Sequence, residues 1–376
     1  MPALLTHVDP EGLEEFSVVF TDRSLNHMSQ RFQGVMRDIS AMLREVYNAD
    51  AVALVPGGGT CAMEAVARQF AAGRRVLVLR NGWFSYRWSQ ILETGGFADK
   101  VHVAMARRSG NGPQAPFAPA PIAEVAQAIR ESGAEVVFAP HVETASGMIL
   151  PDDYLGAVAD AAHEAGALFV LDCIASGAVW VDMKARGVDV LISAPQKGWS
   201  SSPSAGLVMM NAAAERRMEA TAASSFALDL KKWRAIMAAY EAGGHAYHAT
   251  LPTDALAAFR DTMAESRDHG FERLREAQWR LGNAVRAELA RRGVPSVAAE
   301  GFGAPGVVVG YTDDPEIQSG RRFAEAGVQI AAGVPLQVGE GEDYRSFRIG
   351  LFGLDKLYDV EGTLARLCRA FDAVGL

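Results

Sequence analysis

Lys197 is the residue whose surroundings point most directly to chemistry. It lies in the segment Pro195-Gln196-Lys197-Gly198-Trp199, between an apolar run and a serine-rich loop. Most lysines are solvated surface charges. A lysine that is partly withdrawn from water in a tight loop has a lowered pKa, and its amine can then form a Schiff base with a carbonyl compound. The segment therefore predicts covalent amine chemistry at Lys197.

Asp172 is the second candidate, because it ends the apolar run Leu-Phe-Val-Leu at 168–171. A carboxylate there is unfavourable unless it has a partner. The partner could be a basic side chain, a helix N-terminus, a cationic ring nitrogen or a metal ion. We predict no metal site, because no set of His and Asp ligands accompanies Asp172. His141 and Glu143 lie two residues apart without an evident third ligand, and His141 is equally explained as a hydrogen-bonded residue at a strand end.

A glycine-rich turn, Gly57-Gly58-Gly59-Thr60, leads from another apolar run into a helical pattern. Bare N–H groups at a helix N-terminus bind phosphate, and glycine allows a close approach. The turn is not a P-loop, since no Gly-Lys-Ser/Thr follows, and no acidic residue ends the second strand as in dinucleotide sites. A Schiff-base lysine together with an acid for a pyridinium nitrogen is how pyridoxal 5′-phosphate is held. We therefore predict this cofactor.

Short strands in an α/β fold must position these residues. Seven β-branched or apolar runs predict strands at 51–55, 75–80, 101–105, 135–139, 167–172, 188–193 and 206–210. Several are apolar nearly throughout, as is typical of a parallel sheet buried on both faces. Helical patterns such as 60–72 and 153–165 lie between them, and the last two strands are a candidate antiparallel pair. Ligands of such sheets bind at the carboxyl ends of the strands, so the three features should converge there.

The pattern changes from about residue 253 onward. A long charged helical pattern runs to Arg292 and stops at Gly293. Strand patterns follow at 306–310, 328–331 and 345–350, with helical patterns at 315–327 and 360–374. We interpret residues 276–376 as a small C-terminal α/β domain, residues 21–275 as the large cofactor-binding domain, and residues 1–20 as an N-terminal arm.

Composition restricts the possible partners and the compartment. The 376 residues carry a net charge of −9, with 49% hydrophobic and 22% charged residues, which is ordinary for a globular protein. An acidic chain disfavours nucleic acid or an anionic membrane as partner. No apolar run of about 18 residues predicts a transmembrane helix. The first residues lack a secretory pattern, and three widely spaced cysteines form no disulfide framework, so we expect a cytoplasmic protein.

Three motifs occur in a characteristic order: Pro195-Gln196-Lys197, Tyr247-His248-Ala249-Thr250-Leu251-Pro252 and Phe347-Arg348-Ile349-Gly350. In this order they resemble the class V, fold-type I aminotransferases that depend on pyridoxal phosphate. The resemblance covers residues 45–375 and points to the alanine–glyoxylate and serine–glyoxylate group, with the 2-aminoethylphosphonate–pyruvate transaminases a close second. It implies a large domain with a mostly parallel seven-stranded sheet and a small C-terminal α/β domain.

The resemblance also implies roles for the matching residues. Lys197 would carry the cofactor as a Schiff base and later move the substrate proton, and Asp172 would pair with the pyridinium nitrogen. Arg348 would bind the substrate carboxylate through two parallel hydrogen bonds. The other implied cofactor contacts are Phe84 on the ring face, Thr144 near the ring hydroxyl, Gly58, Gly59, Thr60 and Gln196 at the phosphate, and Tyr247 and Thr250 at the phosphate in the other subunit of a homodimer.

The implied reaction is a ping-pong transfer of an amino group from an alanine- or serine-type amino acid to a 2-oxo acid such as glyoxylate or pyruvate. Two departures from the family leave the substrate least determined. Three glycines and Thr60 stand where Ser-Gly-His is common, and the N-terminal segment lacks a Gly-Pro-Gly-Pro stretch.

Two alternative activities remain open within the same fold. The first is 2-aminoethylphosphonate–pyruvate transamination, for which Arg87 and Arg345 are candidate cations at the phosphonate. The second is a pyridoxal-phosphate lyase or cysteine desulfurase. Desulfurases carry a histidine before the lysine and a cysteine on a mobile loop, whereas Gln196 precedes Lys197 here and no cysteine lies between Cys173 and Cys368.

Overall fold

The protein is organised around a seven-stranded sheet, as seen in a computed structural model that describes residues 8–376. The beginning of the predicted N-terminal arm, residues 1–7, lies outside the described residues. In chain order the described strands are β1 (Ala51–Pro56), β2 (Arg75–Arg80), β3 (Lys100–Met105), β4 (Arg107–Arg108), β5 (Phe117–Ala118), β6 (Val136–Pro140), β7 (Val142–Glu143), β8 (Met148–Ile149), β9 (Leu168–Asp172), β10 (Val190–Ser193), β11 (Ala205–Met210), β12 (Val307–Tyr311), β13 (Ala331–Ala332) and β14 (Ser346–Gly350).

The central sheet has the strand order β1-β11-β10-β9-β6-β2-β3. β11 is antiparallel to its neighbours β1 and β10, and all other neighbours pair in parallel. The seven predicted strands and the predicted antiparallel pair are therefore confirmed. β6, β9 and β10 are buried along their whole length, as expected for strands with both faces covered. Because every strand except β11 runs in the same direction, their carboxyl ends meet at one edge.

Helices connect the strands and cover the sheet. The described helices are Gln30–Tyr47, Gly59–Phe70, Trp83–Gly95, Ile122–Ser132, Asp152–Glu164, Met183–Arg186, Ala212–Glu219, Leu230–Glu241, Thr253–His269, Phe271–Arg291, Pro315–Gln318, Arg321–Glu325, Leu354–Leu357 and Val360–Val374. The predicted helical patterns at 60–72, 153–165 and 360–374 are confirmed. Within residues 8–376, no helix combines the length and the apolar character that a membrane span requires.

Two predicted helices are wrong in extent, because a glycine interrupts each of them. The pattern from 253 to 292 breaks at Gly270, whose φ is +102°. The pattern from 315 to 327 breaks at Gly320, whose φ is +80°. A residue with positive φ cannot continue a right-handed helix, and glycine adopts that conformation without strain. The predicted strand at 328–331 is also too long, since only residues 331 and 332 pair with β14.

A second, antiparallel sheet of order β12-β14-β13 lies toward the C-terminus. Its apolar core is distinct from that of the large sheet and includes Leu274, Phe323, Phe347 and Phe371. Another apolar group joins this sheet to the loops that follow β6 and β9, and it includes Val142, Ala145, Ala175, Val307 and Leu336. This packing places β14 beside the carboxyl edge of the large sheet.

Candidate active site

Asp172 lies at the carboxyl end of β9, between β6 and β10. It is only 8% exposed, and its Oδ1 accepts a hydrogen bond from the N–H of Ile174 at 3.0 Å. Burial raises the pKa of Asp172 to about 7, and the nearby Glu143 raises it as well, against the Ile174 hydrogen bond and Arg87, which lower it. A cationic group beside Asp172 would favour its ionised form.

Lys197 lies in a tight loop after β10. Its carbonyl accepts a hydrogen bond from the N–H of Ser200 at 3.1 Å, and Gly198 packs so closely that a Cβ there would lie 2.0 Å from the carbonyl oxygen of Gly177. Burial lowers the pKa of Lys197, and the nearby Arg348 and Arg87 lower it further. The lysines that form ion pairs within the described residues are Lys184, Lys231 and Lys356. The Lys197 amine is thus held away from acids in a form suited to nucleophilic attack.

Phe84 lies close to two arginines, one from its own helix and one from the small sheet. It belongs to the helix Trp83–Gly95, and its ring centroid lies 5.3 Å from the guanidinium carbon of Arg87 and 5.4 Å from that of Arg348. Arg348 comes from β14 and is anchored by its Nε, which donates to the carbonyl of Ala332 at 2.7 Å. The other guanidinium nitrogens of Arg348 make no ion pair with the described residues, so they can receive an anionic ligand.

The glycine-rich turn forms an open cradle before the helix Gly59–Phe70. Gly57 has a φ of +117°, and a Cβ at Gly59 would lie 2.5 Å from Cδ1 of Ile174. No side chain caps the helix N-terminus, so its first N–H groups remain available to an anion. The Thr60 Oγ1 accepts a hydrogen bond from Arg87 at 3.1 Å.

Buried polar atoms without partners support the same conclusion. Within the described residues these include the Oε1 of Gln196 and the Oγ atoms of Ser146 and Ser204, from loops at the carboxyl edge. Buried polar groups normally have a partner, so orphaned ones indicate an absent ligand or water. Together with the glycine cradle, Lys197 and Asp172, these groups fit a phosphorylated pyridine aldehyde.

Glu143, which the sequence suggested only as a possible metal ligand, has a structural role that the sequence did not reveal. It is completely buried, and its carboxylate accepts hydrogen bonds from the N–H of Phe84 at 3.2 Å, the N–H of Ser85 at 2.8 Å, the Ser85 hydroxyl at 2.7 Å and the N–H of Ala145 at 2.9 Å. Burial raises the pKa of Glu143, against these hydrogen bonds. The carboxylate thereby ties the loop of Thr144 to the helix of Phe84.

Glu143→Gln is expected to lower the free energy of unfolding by about 1–3 kcal/mol, because the amide NH₂ would face N–H donors and leave them unsatisfied. Denaturant titration measures this change. The matched control is Glu64→Gln, which removes a partly exposed partner of Arg68, and a change of less than about 1 kcal/mol is expected there. Equal losses of stability in the two variants would contradict the role of Glu143 in holding the Thr144 loop against the helix of Phe84.

The other predicted residues divide between this edge and the protein surface. Thr144 is 8% exposed and lies within the Glu143 loop. Tyr247 and Thr250 are exposed, and their hydroxyls lie 3.1 Å apart. The Tyr247 ring packs 5.4 Å from His27, so this pair does not join the Lys197 cluster of its own chain.

His141 is a structural residue beneath the site. Its ring Nδ1 lies 2.7 Å from the Ser176 hydroxyl. The backbone N–H of His141 donates to the backbone carbonyl of Asp172 at 2.8 Å. Burial lowers the pKa of His141 to about 3, so the ring is neutral. No group of three or more His, Cys, Asp or Glu side chains in the described part of the chain is arranged to hold a metal ion.

Several known proteins resemble this chain in sequence or in fold. The family profile Aminotransferase class-V matches residues 13–300. The soluble hydrogenase 42 kDa subunit of Anabaena cylindrica is 26% identical over 349 residues, covering 91% of this chain and 86% of that protein. The 2-aminoethylphosphonate–pyruvate transaminase of Paraburkholderia phymatum is 28% identical over 354 residues, covering 92% and 89%. The alanine–glyoxylate aminotransferase structure from Nostoc sp. has the same fold, with a TM-score of 0.78 at 21% identity over 94% of this chain and 89% of that one.

Proposed function

This chain belongs to the class V aminotransferases, and we propose that it moves the amino group of an alanine- or serine-type amino acid to a 2-oxo acid such as glyoxylate or pyruvate. Its cofactor is pyridoxal 5′-phosphate. The observation that carries the substrate proposal is the position of Arg348, which has no acidic partner among the described residues and lies beside the aromatic face of Phe84.

The chain's own residues supply binding and proton transfer. The bound cofactor supplies an electron-withdrawing ring. We propose that the Lys197 Nζ would hold the cofactor aldehyde covalently and would move the proton at the substrate Cα. Its lowered pKa makes the free base available for this task. Asp172 would hold the proton on the ring nitrogen, and Phe84 would stack on the ring face.

Arg348→Lys is expected to raise the KM for the amino donor about 10- to 100-fold, because one ammonium cannot reproduce two parallel hydrogen bonds to a carboxylate. The absorbance of the bound cofactor should remain unchanged, which separates substrate recognition from cofactor loss. Arg345→Lys is the matched control: Arg345 is exposed just before β14, and no change is expected. An unaltered KM in Arg348→Lys would remove Arg348 from substrate binding.

Phosphonate transamination is the second candidate, supported by the similarity to the Paraburkholderia enzyme. A phosphonate requires more cationic donors than a carboxylate. Of the two candidates, Arg87 is bonded to Thr60 at the glycine cradle, and Arg345 is exposed. The arrangement favours a donor with a single carboxylate. An assay of alanine, serine, glycine and 2-aminoethylphosphonate against glyoxylate and pyruvate decides, and turnover of the phosphonate alone would reverse this ranking.

We further propose a homodimer in the cytoplasm, with the division into residues 1–20, 21–275 and 276–376 described above. Exposed apolar side chains support the dimer, since Leu13, Phe16 and Phe226 are 89%, 88% and 77% exposed. The exposed pair Tyr247 and Thr250 would then reach the partner's phosphate site. Light scattering measures the mass, and a monomer that remains fully active would overturn the shared site.

A further inference from the structure

Arg87 has contacts that its neighbours in the helix do not share. It lies one turn after Phe84 in Trp83–Gly95 and is half-buried. One guanidinium nitrogen donates to the Thr60 hydroxyl at 3.1 Å, while the guanidinium carbon lies 5.3 Å from the Phe84 ring centroid. Arg68 and Arg74, in the same part of the chain, each pair with a glutamate within 4 Å, but Arg87 has no such pair among residues 8–376.

The contact with Thr60 places this cation at the glycine cradle. Thr60 is the second residue of the helix Gly59–Phe70, whose N-terminus lacks a side-chain cap. A guanidinium beside free N–H groups at a helix N-terminus suits a dianion, because the positive charge of the arginine and the helix dipole both attract an anion. The Thr60 hydroxyl accepts from Arg87, so its own proton is free to be donated to the same anion.

Arg87 also influences the reactive groups electrostatically. Burial is the main cause of both shifts, and Arg87 adds to the lowered pKa of Lys197 and opposes the raised pKa of Asp172. Arg348 approaches the same Phe84 ring from the small sheet and is anchored to Ala332 rather than to the cradle. Arg348 is therefore held by the small sheet, through Ala332. Arg87 is held by Thr60 at the glycine-rich turn, where the phosphate is expected to bind.

We propose that Arg87 binds the cofactor phosphate together with Thr60, and that it does not bind the distal group of the amino donor. This inference rests on the proposed function, since it assumes that pyridoxal phosphate occupies the pocket. It assigns Arg87 a cofactor role in place of the phosphonate role considered from the sequence. Arg348 then remains as the cation for a substrate with one carboxylate.

The test compares pyridoxal phosphate with pyridoxal, which has the same ring and aldehyde but no phosphate. Cofactor-free wild type, Arg87→Gln and the exposed control Arg345→Gln are titrated with each compound, and the dissociation constants are determined. Arg87→Gln is expected to weaken pyridoxal phosphate binding about 10- to 100-fold, as for loss of a hydrogen bond between charged groups, and to change pyridoxal binding less than about twofold. Arg345→Gln should alter neither constant.

The outcomes separate the inference from its premise. If wild type binds neither compound, the proposed function fails and the inference falls with it. If wild type binds pyridoxal phosphate but Arg87→Gln weakens both compounds equally, Arg87 acts through Phe84 or through folding, and the phosphate role is overturned. An unchanged affinity overturns it too. Arg87→Lys keeps the charge, so its dissociation constant for pyridoxal phosphate should lie between those of wild type and Arg87→Gln, with no change for pyridoxal. This variant provides the test if Arg87→Gln folds poorly.

Discussion

Lys197→Ala is expected to lower kcat by at least about 10⁴-fold, because it would remove both the proposed covalent attachment and the proposed base at the substrate Cα. Lys184, Lys231 and Lys356 offer no substitute amine, since each is paired with an acid at the surface. The visible absorbance that a lysine-linked cofactor gives should be lost as well. Transfer of the amino group from alanine to glyoxylate, followed by product chromatography, measures the effect.

Lys184→Ala is a suitable control for this variant. Lys184 is a surface residue paired with Asp50 at 3.0 Å, and its loss should leave kcat unchanged. A Lys197→Ala protein that still turns over within about tenfold of wild type would exclude Lys197 from the chemistry.

Asp172→Asn is expected to have two opposite effects. It should lower kcat by about 10²- to 10⁴-fold, because an amide cannot hold the ring nitrogen in its protonated state. It should also stabilise the cofactor-free protein at pH 8 by about 1–3 kcal/mol, because it removes a carboxylate whose charge is unfavourable in the folded chain. The amide oxygen can still accept the Ile174 N–H, so the local hydrogen bond is retained.

The pH dependence follows from the raised pKa of Asp172. This pKa is about 7 in the folded chain, against about 3.9 in an unfolded one. Between these values the folded protein keeps a proton that the unfolded protein has lost. The contribution of Asp172 to stability is therefore complete below about pH 4 and is lost as the pH rises toward about 7. Urea titrations of cofactor-free wild type and Asp172→Asn from pH 4 to pH 8 should diverge over this range, and parallel curves would contradict the prediction.

The apolar runs made the large sheet predictable from sequence. Strands buried on both faces consist of consecutive apolar residues, so Leu168–Asp172 and its neighbours could be recognised without knowing the fold. The carboxyl-edge rule then placed Asp172, Lys197 and the glycine turn together. The helix break at Gly270 was not predictable, since a single glycine within a charged helical pattern is often tolerated.

Contacts between distant segments could not be predicted from local patterns. Glu143 receives hydrogen bonds from Phe84 and Ser85, which lie 59 and 58 residues before it in the chain. Arg87 meets Thr60 across 27 residues. Neither separation has a local signature of the kind that helical or strand periodicity provides. Such pairs become visible only when the strands are assembled and their following loops lie side by side.

The position of Arg348 on β14 has a consequence for how this protein can change over evolutionary time. Lys197, Asp172 and the glycine turn are fixed by the large sheet, whereas Arg348 is fixed by the small one. Under the roles proposed above, substitutions in the small sheet would alter which amine is accepted while Lys197 and Asp172 keep their positions. For engineering a new amine specificity, the residues around β14 are the place to randomise, and the loops after β9 and β10 are best left intact.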